Sequence, residues 1–138
     1  MARGFDATFG VGSTDVVTCA AFTSPTKFSF AGWYYRNGTG GLNAGRIFDK
    51  TGSAVAEIAL NWRNTSSSIR FARVFSTTAG GWDTTATEAV ATGAWVHIVV
   101  VYDGSATGNN PTIYINGKSV SVTTTTAPVG TVSTTSGV

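Results

Sequence analysis

Apolar and polar residues alternate most clearly in the last third of the chain. Trp95 to Tyr102 is a run of apolar and β-branched residues that ends at Asp103-Gly104. Further on, Thr112 to Ile115 and Lys118 to Val122 flank Asn116-Gly117, two residues that both tolerate the positive φ of a type I′ turn. The pattern predicts three β-strands, the last two of which form a hairpin.

The strand that begins at Trp95 has apolar residues at both odd and even positions. Val96, Ile98 and Val100 would point to one face of a sheet, and Val99 and Val101 would point to the other. Because a strand that is apolar on both faces is typical of a buried position, we predict that it lies mid-sheet with both faces covered.

Shorter alternating runs upstream predict more strands, and no stretch has a helical apolar period. The Gly-rich stretches at 37–45 and 77–85 predict loops, and the second loop contains Trp82. The chain is therefore expected to be an all-β protein with antiparallel sheets. The upstream strands are predicted at Arg3–Phe9, Asp15–Cys19, Lys27–Arg36, Arg46–Lys50, Ala54–Trp62 and Ser68–Phe75.

Composition indicates one domain of low charge. A chain of 138 residues is long enough to bury a core. Charged residues make up 12% of it, against the usual quarter, and the net charge of +2 comes from scattered basic residues. No basic patch indicates nucleic acid or an anionic membrane as a partner. A surface with so few charges is typical of a protein covered by partners, or is simply usual for this kind of fold.

The single cysteine and the N-terminal residues bear on where the protein is made. Cys19 has no partner for an internal disulfide, and its apolar neighbours predict a buried, inert thiol. The start Met1-Ala2-Arg3-Gly4-Phe5 lacks the apolar core of a signal peptide, and no segment is apolar enough to span a bilayer. We therefore expect synthesis in a cytoplasm, without membrane insertion, followed by release or by assembly into a particle.

Three stretches together carry a resemblance to a known family. They are the strand Phe28–Tyr35, the strand Arg46–Lys50 and the run that contains Gly93, Trp95, His97, Val101, Tyr102-Asp103-Gly104 and Tyr114-Ile115-Asn116-Gly117. These stretches resemble laminin G-like domains of the concanavalin A-like lectin/glucanase superfamily. The resemblance covers about residues 3 to 122 and implies a two-sheet jelly-roll sandwich. It says little about function, since this fold hosts lectins, enzymes and assembly proteins.

The C-terminal segment departs from the family pattern. A laminin G-like domain ends with a strand that pairs beside the first strand, and the Thr- and Ser-rich residues 123–138 show no such strand. We predict a sandwich over residues 1–122 that lacks the usual C-terminal strand, followed by a segment that is extended or completes a sheet edge. Either the chain is truncated, or the sandwich is shorter, or another chain supplies the edge.

The residues do not form the catalytic arrangement of the superfamily's enzymes. Glucanases place two or three carboxylates in an E-x-D-x-E spacing on one strand. Here the glutamates are Glu57 and Glu88, and the five aspartates lie singly. His97, the one histidine, lies within the Val-rich strand, where a Ser-His-Asp triad would not place it. No Gly-rich phosphate-binding loop is present. The sequence predicts a protein that is not an enzyme.

Ligand sites are less readily excluded. The carboxylates of Asp83 and Asp103 would share a calcium ion if their loops met at one rim, but as isolated loop residues they indicate no cofactor. A sugar site needs an aromatic ring beside amides, and the best set consists of Trp82, Asp83, Asn109 and Asn110. The other three tryptophans, Trp33, Trp62 and Trp95, lie within strands and are assigned to core or sheet-face packing.

The resemblance extends to laminin G-like proteins encoded by tailed bacteriophages, and it implies a virion component. We expect a capsid decoration protein, a head fibre or a tail-associated module. Its partners would be further copies of itself and other virion proteins, together with possible glycan contact. The alternative is a monomeric carbohydrate-binding module with an extracellular location.

Overall fold

The structure is a computed structural model, and it describes residues 22–37, 45–51, 56–63, 68–85, 90–134 and 136–137. The predicted strands Arg3–Phe9 and Asp15–Cys19, the environment of Cys19 and most of the 37–45 loop lie outside the described residues. Within the described part, eleven strands are found. They are β1 (Phe22–Thr23), β2 (Lys27–Tyr35), β3 (Arg46–Thr51), β4 (Ala56–Trp62), β5 (Ile69–Arg73), β6 (Gly80–Thr84), β7 (Trp95–Asp103), β8 (Thr112–Ile115), β9 (Lys118–Val120), β10 (Val122–Thr126) and β11 (Ser136–Gly137).

The strands form two main sheets. One has four strands in the order β2-β7-β8-β9, the other has five in the order β10-β6-β5-β4-β3, and every pairing is antiparallel. A short two-stranded sheet joins β1 and β11. The predicted fold class, an all-β antiparallel sandwich of two sheets, is confirmed.

The core lies between the two sheets and follows the two-residue period of its strands. In β7 the even-numbered residues are buried, and in β5 the odd-numbered ones are. Burial of each large apolar side chain stabilises the fold by about 1.5–3 kcal/mol. The buried residues include Leu60, Trp62, Ile69, Phe71, Trp82, Val96, Ile98, Val100, Tyr102 and Ile113.

Two local predictions are confirmed in detail. Asn116 has φ of 51° and Gly117 has φ of 80°, as the hairpin turn between β8 and β9 requires. The meander predicted from Arg46 onward is present as β3, β4 and β5, which are neighbours in one sheet. Arg70 lies on the opposite face of β5 from Phe71, as its alternation predicted.

The prediction of a loop at 77–85 is wrong, because Gly80–Thr84 forms strand β6. Its glycines look like loop residues in the sequence, but they have a packing role. A Cβ atom at Gly80 would overlap the indole ring of Trp82, so only glycine lets that ring lie flat over the strand.

The C-terminal segment returns to the sandwich. Strand β10 is the edge of the five-stranded sheet, and isolated bridges join Val129 to Thr78 and Val132 to Phe75. Strand β11 pairs with β1 in the register Phe22 to Gly137, a pairing that was not predicted. Such pairing uses backbone groups only, which is why a Thr- and Ser-rich stretch gave no signal for it. The predicted absence of a C-terminal strand beside the first predicted strand, Arg3–Phe9, falls outside the described residues. The domain boundary at residue 122 stays a prediction.

Five polar residues from separate segments meet in the interior; we call them the Glu57 cluster. The Ser24 hydroxyl donates to Glu57 Oε2, Lys50 Nζ lies 3.0 Å from the same oxygen, and the Ser133 hydroxyl donates to Oε1 at 2.6 Å. The fifth residue is Arg73, which is 0% exposed. Lys50 and Glu57 are each 2% exposed, so a buried ion pair joins β3 to β4.

Arg73 connects this cluster to the chain ends. Its guanidinium donates to the carbonyl oxygens of Glu57 at 3.3 Å, Pro25 at 3.3 Å and Ser133 at 2.5 Å. The Ser133 N–H donates to the carbonyl of Val74 at 3.0 Å. The cluster therefore holds the segment before β2 and the C-terminal segment against the five-stranded sheet.

Tyr102 gives the fold an alkaline pH dependence. It is 2% exposed, and burial raises its pKa to about 12, while an unfolded tyrosine titrates near 10. Below pH 10 both states keep the phenol neutral; from about pH 10 to 12 only the unfolded state loses the proton, so stability falls with rising pH.

We expect Tyr102→Phe to reduce this loss without lowering stability at neutral pH. The Tyr102 hydroxyl has no hydrogen-bond partner among the described residues, so its removal leaves no buried group without a partner. Urea unfolding at pH 7, 10 and 11 of both proteins measures the effect. Equal slopes against pH for the two proteins would contradict the assignment to Tyr102.

Candidate binding surface

The outer face of the four-stranded sheet is covered with apolar side chains that face solvent. In β2 the odd-numbered residues point outward and are exposed, while the even-numbered ones pack inward. In β7 the outward residues are again the odd-numbered ones. We call this surface the aromatic face, after the rings at one end of it. Its residues are Lys27, Ser29, Ala31, Trp33 and Tyr35 on β2, Trp95, His97, Val99, Val101 and Asp103 on β7, Thr112 and Tyr114 on β8, and Ser119 on β9.

The prediction that both faces of the Val-rich strand are covered is wrong on this side. Strand β7 lies mid-sheet between β2 and β8, as predicted. However, Trp95 is 64% exposed and Val101 is 41% exposed. The part of the chain that the structure describes places no second layer over them.

Four rings of the aromatic face form two cross-strand pairs. Trp33 and His97 lie opposite each other with their ring centroids 5.1 Å apart, and Tyr35 and Trp95 lie opposite each other at 5.6 Å. Such pairs of rings stabilise neighbouring strands. They also hold the exposed rings in place, so these side chains lose little conformational entropy when a partner covers them.

Charge is confined to one end of this face. Lys27 and Asp103 occupy the last row of the β2–β7 pair, and Lys27 Nζ lies 2.7 Å from an oxygen of Asp103. Hydrogen bonds from Lys27 and then from Ser105 lower the pKa of Asp103 to about 2, so this carboxyl is ionised at neutral pH. The remainder of the face carries no charged side chain.

This arrangement has the features of an interaction surface. Contiguous apolar patches larger than roughly a few hundred Å² are uncommon on monomeric proteins and mark sites of association. The central part of a protein interface is depleted in charge and enriched in Trp and Tyr, and those residues dominate the binding energy. Trp33, Tyr35 and Trp95 are 65%, 49% and 64% exposed, which fits the part of such anchors.

The four residues of the predicted sugar site lie outside the aromatic face, and two of them are in contact. Trp82 is 0% exposed and stacks on Phe71, with 5.7 Å between ring centroids. Its indole N–H donates to Asn110 Oδ1 at 2.8 Å. Trp82 and Asn110 are therefore in contact, as a shared site required, but Trp82 turns no ring face to solvent.

The other two predicted site residues have partners of their own. Asp83 receives a hydrogen bond from Arg70 at 2.7 Å and lies 3.5 Å from Arg63. Asn109 donates from its amide to the carbonyl of Asp103 at 3.0 Å. The glycan role of Trp82, Asp83, Asn109 and Asn110 stays a prediction.

Within the described residues, no group of three or more His, Cys, Asp or Glu side chains is placed to hold a metal ion. Asp83 and Asp103, the pair considered for calcium, are each ion-paired with basic side chains. No helix in the same part of the chain is long and apolar enough to cross a membrane.

The aromatic face has no distinctive signal in the sequence. Because Trp33 and Trp95 lie within strands, their positions predict packing rather than a binding surface. In β2, Trp33 and Tyr35 alternate with Phe30 and Tyr34, so both faces of the strand look apolar. The alternation shows which residues share a face, but it does not show which of two apolar faces meets the second sheet.

The fold agrees with the family comparison. The laminin G model of the concanavalin A-like lectin/glucanases superfamily matches residues 10–137. The chain therefore belongs to this superfamily, and its fold fits a non-enzymatic binding module. Searches of the curated proteins and of the solved structures found no match.

Proposed function

We propose that this protein is a non-enzymatic assembly module of a bacteriophage particle surface, and that it self-associates through the aromatic face. The observation that carries the proposal is that the outer face exposes Trp33, Tyr35 and Trp95 and carries charge only at one end, in the Lys27–Asp103 ion pair. A soluble glycan would need hydrogen-bonding groups around the rings. Here the β2–β7 row next to the rings is the aliphatic pair Ala31–Val99, and the hydroxyl of Ser29 lies one row further away.

The size of the face supports protein contact. Strands β2 and β7 have nine residues each, about 30 Å at about 3.3 Å per residue, while β8 and β9 have four and three. With strands about 4.8 Å apart, the sheet covers about 400 Å². Because side chains project from that area, its accessible surface approaches the roughly 600 Å² that each partner buries in the smaller specific interfaces.

The particle location extends the resemblance to phage-encoded laminin G-like proteins. The low content of charged residues, 12%, supports a surface that is covered in an assembly. Mass spectrometry of density-purified phage particles would test this location, since peptides of the chain should occur there in stoichiometric amount. Their absence from the particles would reject the location and leave the self-association as a separate question.

Self-association is tested by changing the two exposed tryptophans together. We expect the purified wild-type chain to form a discrete oligomer, and Trp33→Ser with Trp95→Ser to shift it to a monomer, because interface tryptophans carry most of the binding energy. Light scattering on a sizing column measures the mass. Val129→Ser removes another exposed apolar side chain away from this face and should leave the oligomer intact. A monomeric wild-type chain would reject the proposal.

A monomeric carbohydrate-binding module is the second candidate, and one observation favours it. Three exposed rings on a flat sheet could stack on sugar rings. A glycan array with the wild-type chain and the double tryptophan variant separates the two functions. Saturable binding by a monomer, lost in the variant, would replace the assembly proposal with the glycan one.

A further inference from the structure

The aromatic face is graded in side-chain size along its strands. The cross-strand register defines five outward rows on β2 and β7. The side chains are bulky in the two rows at one end and small in the central row. At the other end they are shorter in one row and charged in the last. From the bulky end the rows are Tyr35–Trp95, Trp33–His97, Ala31–Val99, Ser29–Val101 and Lys27–Asp103.

We propose that two copies of the chain stack face to face on this surface, related by a two-fold axis that crosses the strands at the Ala31–Val99 row. The inference rests on the proposed self-association and adds the geometry of the partner. Closed two-fold pairs are the commonest arrangement of homo-oligomers, and each contact in them is made twice.

The size gradient selects this axis. The rotation reverses the order of the rows and keeps strand opposite to strand, so Trp33 of one copy meets Ser29 of the other. Tall side chains then fill the low end of the partner surface. An arrangement with equal rows opposed would press the bulky Trp33–His97 row against the same row of the partner and leave a gap over the Ser29–Val101 row. Close packing excludes such gaps.

The same rotation gives both residues of the charged row a partner in the other copy. Lys27 of each copy comes to lie against the ring of Tyr35 of the other, which is a cation–π arrangement. Asp103 comes to lie opposite Trp95, whose indole N–H is a hydrogen-bond donor. The Lys27–Asp103 pair can stay intact, because the two residues are neighbours in one row.

Chemical cross-linking tests the axis directly. On the axis, Val99 faces its own copy across the spacing of about 10 Å between stacked sheets, which is too far for a disulfide but suits a short bis-maleimide. Val101 lies two residues away, so its two copies are offset by about 13 Å along the strands as well. In a Cys19→Ser background, Val99→Cys should therefore cross-link at least tenfold faster than Val101→Cys.

A mixed experiment checks the reversal of rows. The row that contains His97 in one copy faces the row that contains Val101 in the other. A mixture of His97→Cys and Val101→Cys should therefore form a cross-linked heterodimer faster than either variant alone forms a cross-linked homodimer. Equal rates for Val99→Cys and Val101→Cys in a protein that remains oligomeric by light scattering would overturn this geometry and leave self-association standing. A monomer that does not cross-link would reject both.

Discussion

Replacement of Trp82 by alanine is expected to lower the free energy of unfolding by about 3–5 kcal/mol, as large-to-small changes at buried aromatic sites do. The indole is 0% exposed and packs against Phe71 and Tyr102. The change would also leave the Asn110 oxygen without the indole donor. Urea unfolding followed by circular dichroism measures the loss.

The control for this prediction is Trp82→Phe, which keeps a ring over Gly80 and should cost less than half as much. The outcome decides between two roles of the residue. If Trp82→Ala stayed within 1 kcal/mol of the wild type and abolished glycan binding, the residue would be a ligand platform, as the sequence suggested. A large loss of stability assigns it to the core.

The second large effect is expected at the Glu57 cluster, where Glu57→Gln should cost about 3–5 kcal/mol. The amide keeps the shape of the side chain but removes the carboxylate that faces the ammonium of Lys50 at 3.0 Å, with both side chains 2% exposed. Breaking a buried ion pair is costly because the remaining charge stays in the interior. Because the cluster also binds Ser133, we expect the C-terminal segment to lose protection from hydrogen exchange first.

A double-mutant cycle with Lys50→Met separates the ion pair from general damage. The double variant should recover part of the loss, since the methionine leaves no buried ammonium. Asp103→Asn is the matched control, because it removes a carboxylate from a solvent-exposed ion pair, and such pairs contribute little to stability. Additive losses for Glu57→Gln and Lys50→Met would show that the two residues do not act as a pair.

Local chemistry made several elements predictable. The hairpin at Asn116-Gly117 was recognised because its two residues must take positive φ, whatever surrounds them. Strands β2, β5 and β7 were recognised because alternation is a property of the strand itself. The all-β antiparallel class followed from these, the resemblance to laminin G-like domains implied the two-sheet sandwich, and both are confirmed.

Other features depend on contacts between distant residues. Gly80 belongs to a strand because the ring of Trp82 occupies the space above it, and no local pattern encodes that. Lys50, Glu57 and Arg73 look like solvent-facing charges when taken one at a time. They are buried because separate segments bring them together, and each one compensates the burial of another.

The sequence alone therefore determined strands β2 to β5 and β7 to β9, the Asn116-Gly117 turn and the all-β class, since these follow from backbone preferences and a two-residue period. Only the tertiary structure decided which apolar face was left open. Trp33 and Trp95 belong to strands that are apolar on both sides, and the side that is buried is the one on which the five-stranded sheet packs. Burial depends on what lies opposite a residue, and that partner is distant in the chain.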